Sequence, residues 1–471
     1  MRFLDSFGLL VAAGLFLAGC SQPRPKPILG CNYQVVPLTV SPRWRQAPLR
    51  LDALGAAGAQ AGDAASARLG EMLRERRARR VTLLGAAQAS RAEAPVDQFL
   101  ALSGGGQHGA FGAGFFYGMG TLPSWDIVTG VSTGSLQSTL LFLANQPVPA
   151  DRTDYGWVDG PMSGKEGATG LVVKPGSSNV GDLVLAYSIA SEADLLRKRS
   201  GGAALGVVLK GSTASFAPLR ARLLKIMTIG TLQAVGREWR DQKRQLFVGV
   251  SNLDDGEGYG IDMTELAART LATDSPTELA RLQGCYVDAM LASSSVPPGV
   301  PPITLQTARS TEMYMDGGAR FGMFLEPVTA ALRGAGDDGR AQVTLLVNTT
   351  MAVGPWSGTG QPTQRWSAVT AALRAVDLME TQVYRFSAAQ VEELGIARGG
   401  LDMAYLSNAG ISGGQAPDDH VFNGKSCGAW QAIDAQAKPL QFYPWYMACT
   451  ADYGRSRGVA RQWNHSAARP H

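Results

Sequence analysis

Gly130-Val131-Ser132-Thr133-Gly134 is the first place in this sequence where chemistry has a foothold. A serine hydroxyl is a weak nucleophile at neutral pH and needs a neighbouring base. Glycines two residues before and two after it permit a tight strand-to-helix turn that projects the side chain where substrate can approach. A helix starting at Thr133 would add a favourable dipole for developing negative charge. Ser135 lies inside that helix and lacks the flanking glycines. The plain alternative is an ordinary turn with a capping Ser or Thr.

Acyl transfer also needs donors fixed in advance for the charge that builds on the carbonyl oxygen. Gly104-Gly105-Gly106-Gln107-His108-Gly109 can offer backbone N–H groups unobstructed by Cβ atoms. A phosphate-binding loop is the rival reading. No Gly-Lys-Ser/Thr follows, and Asp126 is a poor ribose partner, so neither nucleotide fingerprint fits.

The base is harder to find. An α/β-hydrolase triad runs Ser, Asp or Glu, then His. The four histidines are His108, His420, His465 and His471. His108 precedes the serine, and His465 and His471 fall in a polar tail, which leaves His420 in the expected order. A second candidate is Asp316 in Tyr314-Met315-Asp316-Gly317-Gly318, ending a short apolar strand. A carboxylate can serve as general base when held in hydrogen-bond reach and shielded from water, although Asp-Gly turns are common.

These residues need elements to position them. Gln98–Leu102 reads as a buried strand, Ala110–Gly120 as a helix weakened by its glycines, Ile127–Val131 as a strand and Thr133–Ala144 as a helix. That rhythm predicts an α/β fold with a mostly parallel sheet. Helices are expected over 182–198, 219–238 and 366–393, and strands over 245–251, 342–348 and 401–406. Gly156 to Gly181 reads as a long surface loop.

The chain has 471 residues, 45% of them hydrophobic, enough for a large core. Its net charge of +4, from 43 basic against 39 acidic residues, argues for no nucleic-acid partner. Neither a mean hydropathy of −0.03 nor any internal apolar run of membrane length suggests a polytopic membrane protein. The N-terminus differs: after Met1-Arg2, residues 7–18 are apolar apart from glycines, which reads as a secretory signal. Pro23, Pro25 and Pro27 make a stiff tether. Arg68 to Arg80, with six Arg against two Glu, reads as a solvated helix face, with anionic headgroups as the alternative partner. Four cysteines, Cys31, Cys285, Cys427 and Cys449, allow three disulfide pairings or free thiols. Cys427 with Cys449 is the most local choice and leaves Cys31 for Cys285.

Two resemblances follow. Leu17-Ala18-Gly19-Cys20 resembles the lipobox of bacterial lipoproteins, which would make Cys20 a lipidated first residue. Ser21 after it implies the outer membrane. The glycine loop, the elbow (DIVTGVSTGSL, 126–136) and the approach to Asp316-Gly317-Gly318 (ASSSVPPGVPPI, 292–303) together resemble the patatin-like phospholipases, from about Val96 to Leu325. A weaker echo runs from Phe442 to Trp463. The resemblance implies a three-layer fold with a central mostly parallel sheet flanked by helices. It implies Ser132 as nucleophile, Asp316 as base, and Gly104, Gly105 and Gly106 as the oxyanion hole. Many members carry an acidic residue at Ser103, and Arg or Lys at His108. A neutral imidazole there supplies less positive potential.

The implied activity is cleavage of lipid acyl esters, of phospholipase A or lysophospholipase type, with no cofactor and no metal. Substrate and membrane, through Cys20, are the expected partners. The apolar segment Phe111–Met119 is a candidate acyl-pocket wall or simple core. The organisation expected is a signal peptide over 1–19, a lipidated tether and helical segment over 20–95, a catalytic domain over 96–460 and a polar tail over 461–471. The rivals are a Ser-His-Asp esterase using His420, and a non-catalytic lipid-binding envelope lipoprotein.

Overall fold

The computed structural model describes residues 23–38, 96–199, 212–307, 310–325, 340–353, 368–406 and 419–468, with Glu71, Arg74, Glu75 and Ala78. The signal region with Cys20, most of the arginine-rich run, and His471 lie outside the described residues. The chain forms β1 (Ile28–Tyr33), β2 (Val35–Pro37), β3 (Asp97–Leu102), α1 (Gly109–Met119), β4 (Ile127–Val131), α2 (Thr133–Phe142) and α3 (Asn179–Ala186). A ribbon of β5 (Arg197–Lys198) and β6 (Ala214–Ser215) leads to α4 (Ala217–Ile226), α5 (Ile229–Gln242), β7 (Gln245–Asn252), β8 (Gly258–Asp262), α6 (Met263–Ala268) and α7 (Pro276–Ser293). Next come β9 (Ile303–Thr307), β10 (Thr311–Asp316), β11 (Ala341–Thr350), α8 (Ala368–Arg398) and β12 (Gly399–Leu406). A small hairpin, β13 (Val421–Phe422) and β14 (Lys425–Ser426), precedes α9 (Cys427–Asp434), α10 (Pro444–Val459) and β15 (His465–Ala468).

The main sheet runs β1-β9-β10-β7-β4-β3-β11-β12-β15, with β8 and β2 added on β7. Its centre, β7-β4-β3-β11-β12, is parallel, and antiparallel strands join at its margins. Parallel strands are covered on both faces and so carry apolar residues on both. In β3, Leu100 and Leu102 join the core on one side, Phe99 and Ala101 the core on the other. The first core packs against α1, α2, α7 and α10, the second against α8. This is the mixed α/β sheet between helical layers that the resemblance implied.

The glycines of α1 have a packing reason. A Cβ on Gly114 or Gly118 would overlap the backbone of α10 at Ala451 or Arg455, and one on Gly454 or Gly458 would overlap α1 at Phe111 or Phe115. Reciprocal glycines let the two helices touch backbone to backbone, which outweighs the propensity cost of about 1 kcal/mol each.

Several expectations need correction. Residues 182–198 are not one helix: α3 ends at Ala186, and a capping box at Ser191 starts a separate turn. Residues 219–238 divide into α4 and α5, because Thr228 accepts a hydrogen bond from the Thr231 amide and begins a new helix. The 156–181 segment is no simple surface loop, since Trp157, Val158, Met162 and Val173 are buried. Residues 28–37 are not peripheral, because β1 and β2 belong to the main sheet. The polar tail is likewise structured: β15 pairs antiparallel with β12, and His465 Nδ1 reaches Glu392 at 2.7 Å.

Candidate active site

Ser132 sits between β4 and α2 with φ 54° and ψ −123°, a strained conformation that L-residues rarely adopt. Gly130 and Gly134 permit it: a side chain on Gly130 would strike the backbone of Gly134 and Ser135, and one on Gly134 would strike Leu102 and Ser103. The Ser132 amide donates to Ser293 Oγ at 2.9 Å, and Ser293 Oγ donates to the Gly249 carbonyl at 2.6 Å. The end of α7 thereby pins the turn.

Sheet register brings the aspartate to the same level. Val131 lies opposite Gly249 on β7, so Ser132 follows at the height of Val250, and Val250 pairs with Asp316 on β10. Two strand spacings separate β4 from β10 by roughly 10 Å, and Gly249 and Gly317 let Val131, Phe321 and Phe324 pack closely beside them. The Asp316 carboxylate accepts a hydrogen bond at 2.7 Å from the Gly318 amide and faces the Ser132 hydroxyl. Burial pushes its pKa from 3.8 up to about 7, with a further push from Glu380, against the downward pull of the Ser132 hydroxyl and the Gly318 amide.

The glycine loop follows β3. Gly105 and Gly106 have φ of 148° and 56°, and a Cβ on Gly105 would overlap the Asn348 carbonyl. Asn348, at the carboxyl end of β11, fastens the loop: its amide donates to Ser103 Oγ at 2.7 Å and its Nδ2 to the Ser103 carbonyl at 2.9 Å. Gln137 of α2 joins the same network through Asn348 and the Gly109 carbonyl. Of the three expected donors, Gly104 is already engaged, donating to the Gly322 carbonyl at 3.1 Å. Gly105 and Gly106 face the cavity beside Ser132 and Thr133. The Thr133 amide, in the first turn of α2, is by position a further donor. His108 is turned edge-on to Tyr446, and burial lowers its pKa, so the imidazole is uncharged at neutral pH.

Ser132 heads a cavity of about 800 Å³. One wall is a stripe of α2, Thr133, Leu136 and Leu140, and the facing wall a stripe of α4, Leu219, Leu223 and Ile226. Across the mouth stand Arg374, Asp377 and Glu380 of α8. The segment Phe111–Met119 does not line it; Phe111, Phe115 and Phe116 are fully buried in the core. His420 is bound elsewhere, its Nε2 2.9 Å from Asp452 Oδ2 and its ring edge-on to Tyr453. No group of three or more metal-ligating side chains occurs among the described residues. Disulfides join Cys31 to Cys285 and Cys427 to Cys449.

The supporting residues Asn348, Gln137, Ser293 and Tyr384 were not singled out by sequence reasoning. Asn348 had a signal, because it closes a strand expected to be parallel, and sites in such sheets lie at the carboxyl ends of strands.

The elbow, the glycine loop and the aspartate all fall within a stretch that is similar to known proteins. Residues 100–329 match the family model described as patatin-like phospholipase. That domain type supports lipid acyl hydrolase activity in general, and its match takes in β3, the elbow and β10. It ends before β11, α8 and α10, which complete the cavity and the loop support. The crystal structure of VipD from Legionella pneumophila overlays with a TM-score of 0.27 at 11% identity, covering 80% of this chain and 68% of that one. No curated protein matches the sequence.

Proposed function

We propose that this protein hydrolyses lipid acyl esters, as a phospholipase A or lysophospholipase, through a Ser132–Asp316 dyad and an acyl-enzyme. The observation that carries the reading is the Ser132 hydroxyl facing a buried carboxylate at the head of a largely apolar cavity. Asp316 takes the Ser132 proton as Oγ adds to the ester carbonyl. The tetrahedral oxyanion is held by the Gly105 and Gly106 amides. Asp316 then returns the proton to the leaving alcohol, and the acyl group stays on Ser132. Water repeats the sequence, with Asp316 as base, and releases the fatty acid. A carboxyl with a pKa of about 7 can play both parts near neutrality.

Acyl chains fit the stripe between α2 and α4. At 1.5 Å rise per residue, Leu140 stands roughly 12 Å along α2 from Ser132, the length of about ten carbons. We also propose, from the Leu17–Cys20 lipobox and Ser21, that the enzyme is anchored through Cys20 at the outer membrane.

Hydrolysis of phospholipid and lysophospholipid by the wild type, Ser132→Ala and Asp316→Asn tests the chemistry, with a fluorophosphonate probe reporting the nucleophile. The dyad predicts activity and labelling in the wild type, and loss of turnover in both variants. Equal activity in all three would exclude it, and a folded wild type that neither turns over nor labels would favour a non-catalytic lipid-binding role. Incorporation of labelled palmitate, abolished by Cys20→Ala, is the expected result for the anchor.

A further inference from the structure

Tyr384 lies on α8, beyond the matched residues 100–329, and no sequence motif surrounds it. Its ring packs on Gly322, and the residue is only 4% exposed. Its hydroxyl has no hydrogen-bond partner among the described residues, yet it lines the cavity together with Ser132 and Asp316. The hydroxyl opens on that cavity, so its hydrogen bonding is left for whatever occupies the space beside Ser132.

Its surroundings say what that is. A Cβ placed on Gly104 would overlap the Tyr384 hydroxyl and stand 3.1 Å from the Ser132 Cβ. A Cβ on Gly318 would stand 3.2 Å from the hydroxyl and 3.1 Å from Asp316 Oδ1. The phenol therefore borders the nucleophile, the base and the first residue of the glycine loop at once. That loop has one glycine amide fewer than expected, because Gly104 is spent on Gly322, and no charge from His108.

We propose that Tyr384 is a further catalytic residue, whose hydroxyl donates a hydrogen bond to the oxyanion of the tetrahedral intermediates. Burial, reinforced by Asp316 and Glu380, drives its pKa far up, so it keeps the proton that it needs to donate. An oxyanion forms twice in the cycle, once in acylation and once in deacylation, and Tyr384 serves both. A contact with the leaving alcohol would serve only the first, because the alcohol has gone before water attacks.

This inference rests on the Ser132–Asp316 reading, and the experiment separates the two. Tyr384→Phe keeps the ring on Gly322 and removes one oxygen. With p-nitrophenyl esters, acylation and deacylation should both slow about 10²-fold, with KM changed less than about twofold and the pH profile retained. Unchanged melting temperature is the folding control. Should the Phe variant fail it, 4-aminophenylalanine at position 384, which restores a donor, should keep both rates within about tenfold of wild type. Deacylation at the wild-type rate, or a donor-bearing variant as slow as one without, overturns the proposal. If the wild type neither hydrolyses esters nor labels at Ser132, the dyad itself has failed. If the wild type is active and Tyr384→Phe equals it, only the role of Tyr384 has failed.

Discussion

Asp316→Asn should make this protein inactive and more stable, with the gain depending on pH. Below pH 3.8 the carboxyl is protonated in both folded and unfolded chains and costs nothing. Between 3.8 and about 7 the unfolded chain gives up its proton while the folded one retains it, so wild-type stability falls as pH rises. Above about 7 the loss is complete. A shift of about 3 units corresponds to about 4 kcal/mol, and at 4% exposure no solvent screening reduces it. Asparagine escapes this penalty and keeps the geometry, since its Oδ1 can accept from the Gly318 amide and its Nδ2 can donate to Ser132. For a chain of this size the gain is about 4 °C in melting temperature. Calorimetric scans of both proteins from pH 4 to 9 provide the assay. The melting temperatures should coincide at pH 4, diverge up to pH 7 and run parallel beyond. Parallel curves throughout would show that the buried carboxylate carries no strain, and would remove the physical basis for Asp316 as a base tuned to neutrality.

Three further outcomes are expected. Gly105→Ala forces a side chain onto the Asn348 carbonyl at a φ of 148°, so kcat should drop at least about 10²-fold while substrate binding persists, measured by steady-state kinetics. His420→Ala should leave kcat/KM within about twofold, because Asp452 retains its ion pair with Arg455; loss of activity would restore the histidine triad. Leu140→Trp should shorten the longest ester hydrolysed efficiently by about four carbons, one helical turn, measured across a homologous ester series, with short esters unaffected.

How much of this was legible depends on which forces act locally. The strand 127–131 and the elbow were readable because an apolar run, two glycines and a helix start are adjacent in sequence. Asp316 could be named, but not its level with Ser132, which the registers of β4, β7 and β10 set. The break between α4 and α5 was visible in principle at Thr228, a good helix N-cap hidden inside an apolar periodicity. β15 was invisible because an edge strand pairs through its backbone and needs no apolar pattern. Its sequence His465-Ser466-Ala467-Ala468 has almost none. The glycines of α1 counted against a helix until the crossing with α10 explained them. Tyr384 was hidden because its partners come from three distant segments.

That crossing also bears on the order in which the protein is made. Serine and aspartate have both been synthesised by residue 316, but the parts that shape the oxyanion loop come later. Asn348 clasps Ser103, the Tyr443 amide donates to Gln107 Oε1 at 3.1 Å, and α10 beds α1 directly behind the loop. Until these arrive, β3 lacks its β11 neighbour and α1 has nothing to cross. A nascent chain therefore carries the proposed Ser132–Asp316 pair without this scaffold, and gains it only once α10 has been made. For the proposed lipid hydrolase, the late synthesis of α10 is itself a safety catch.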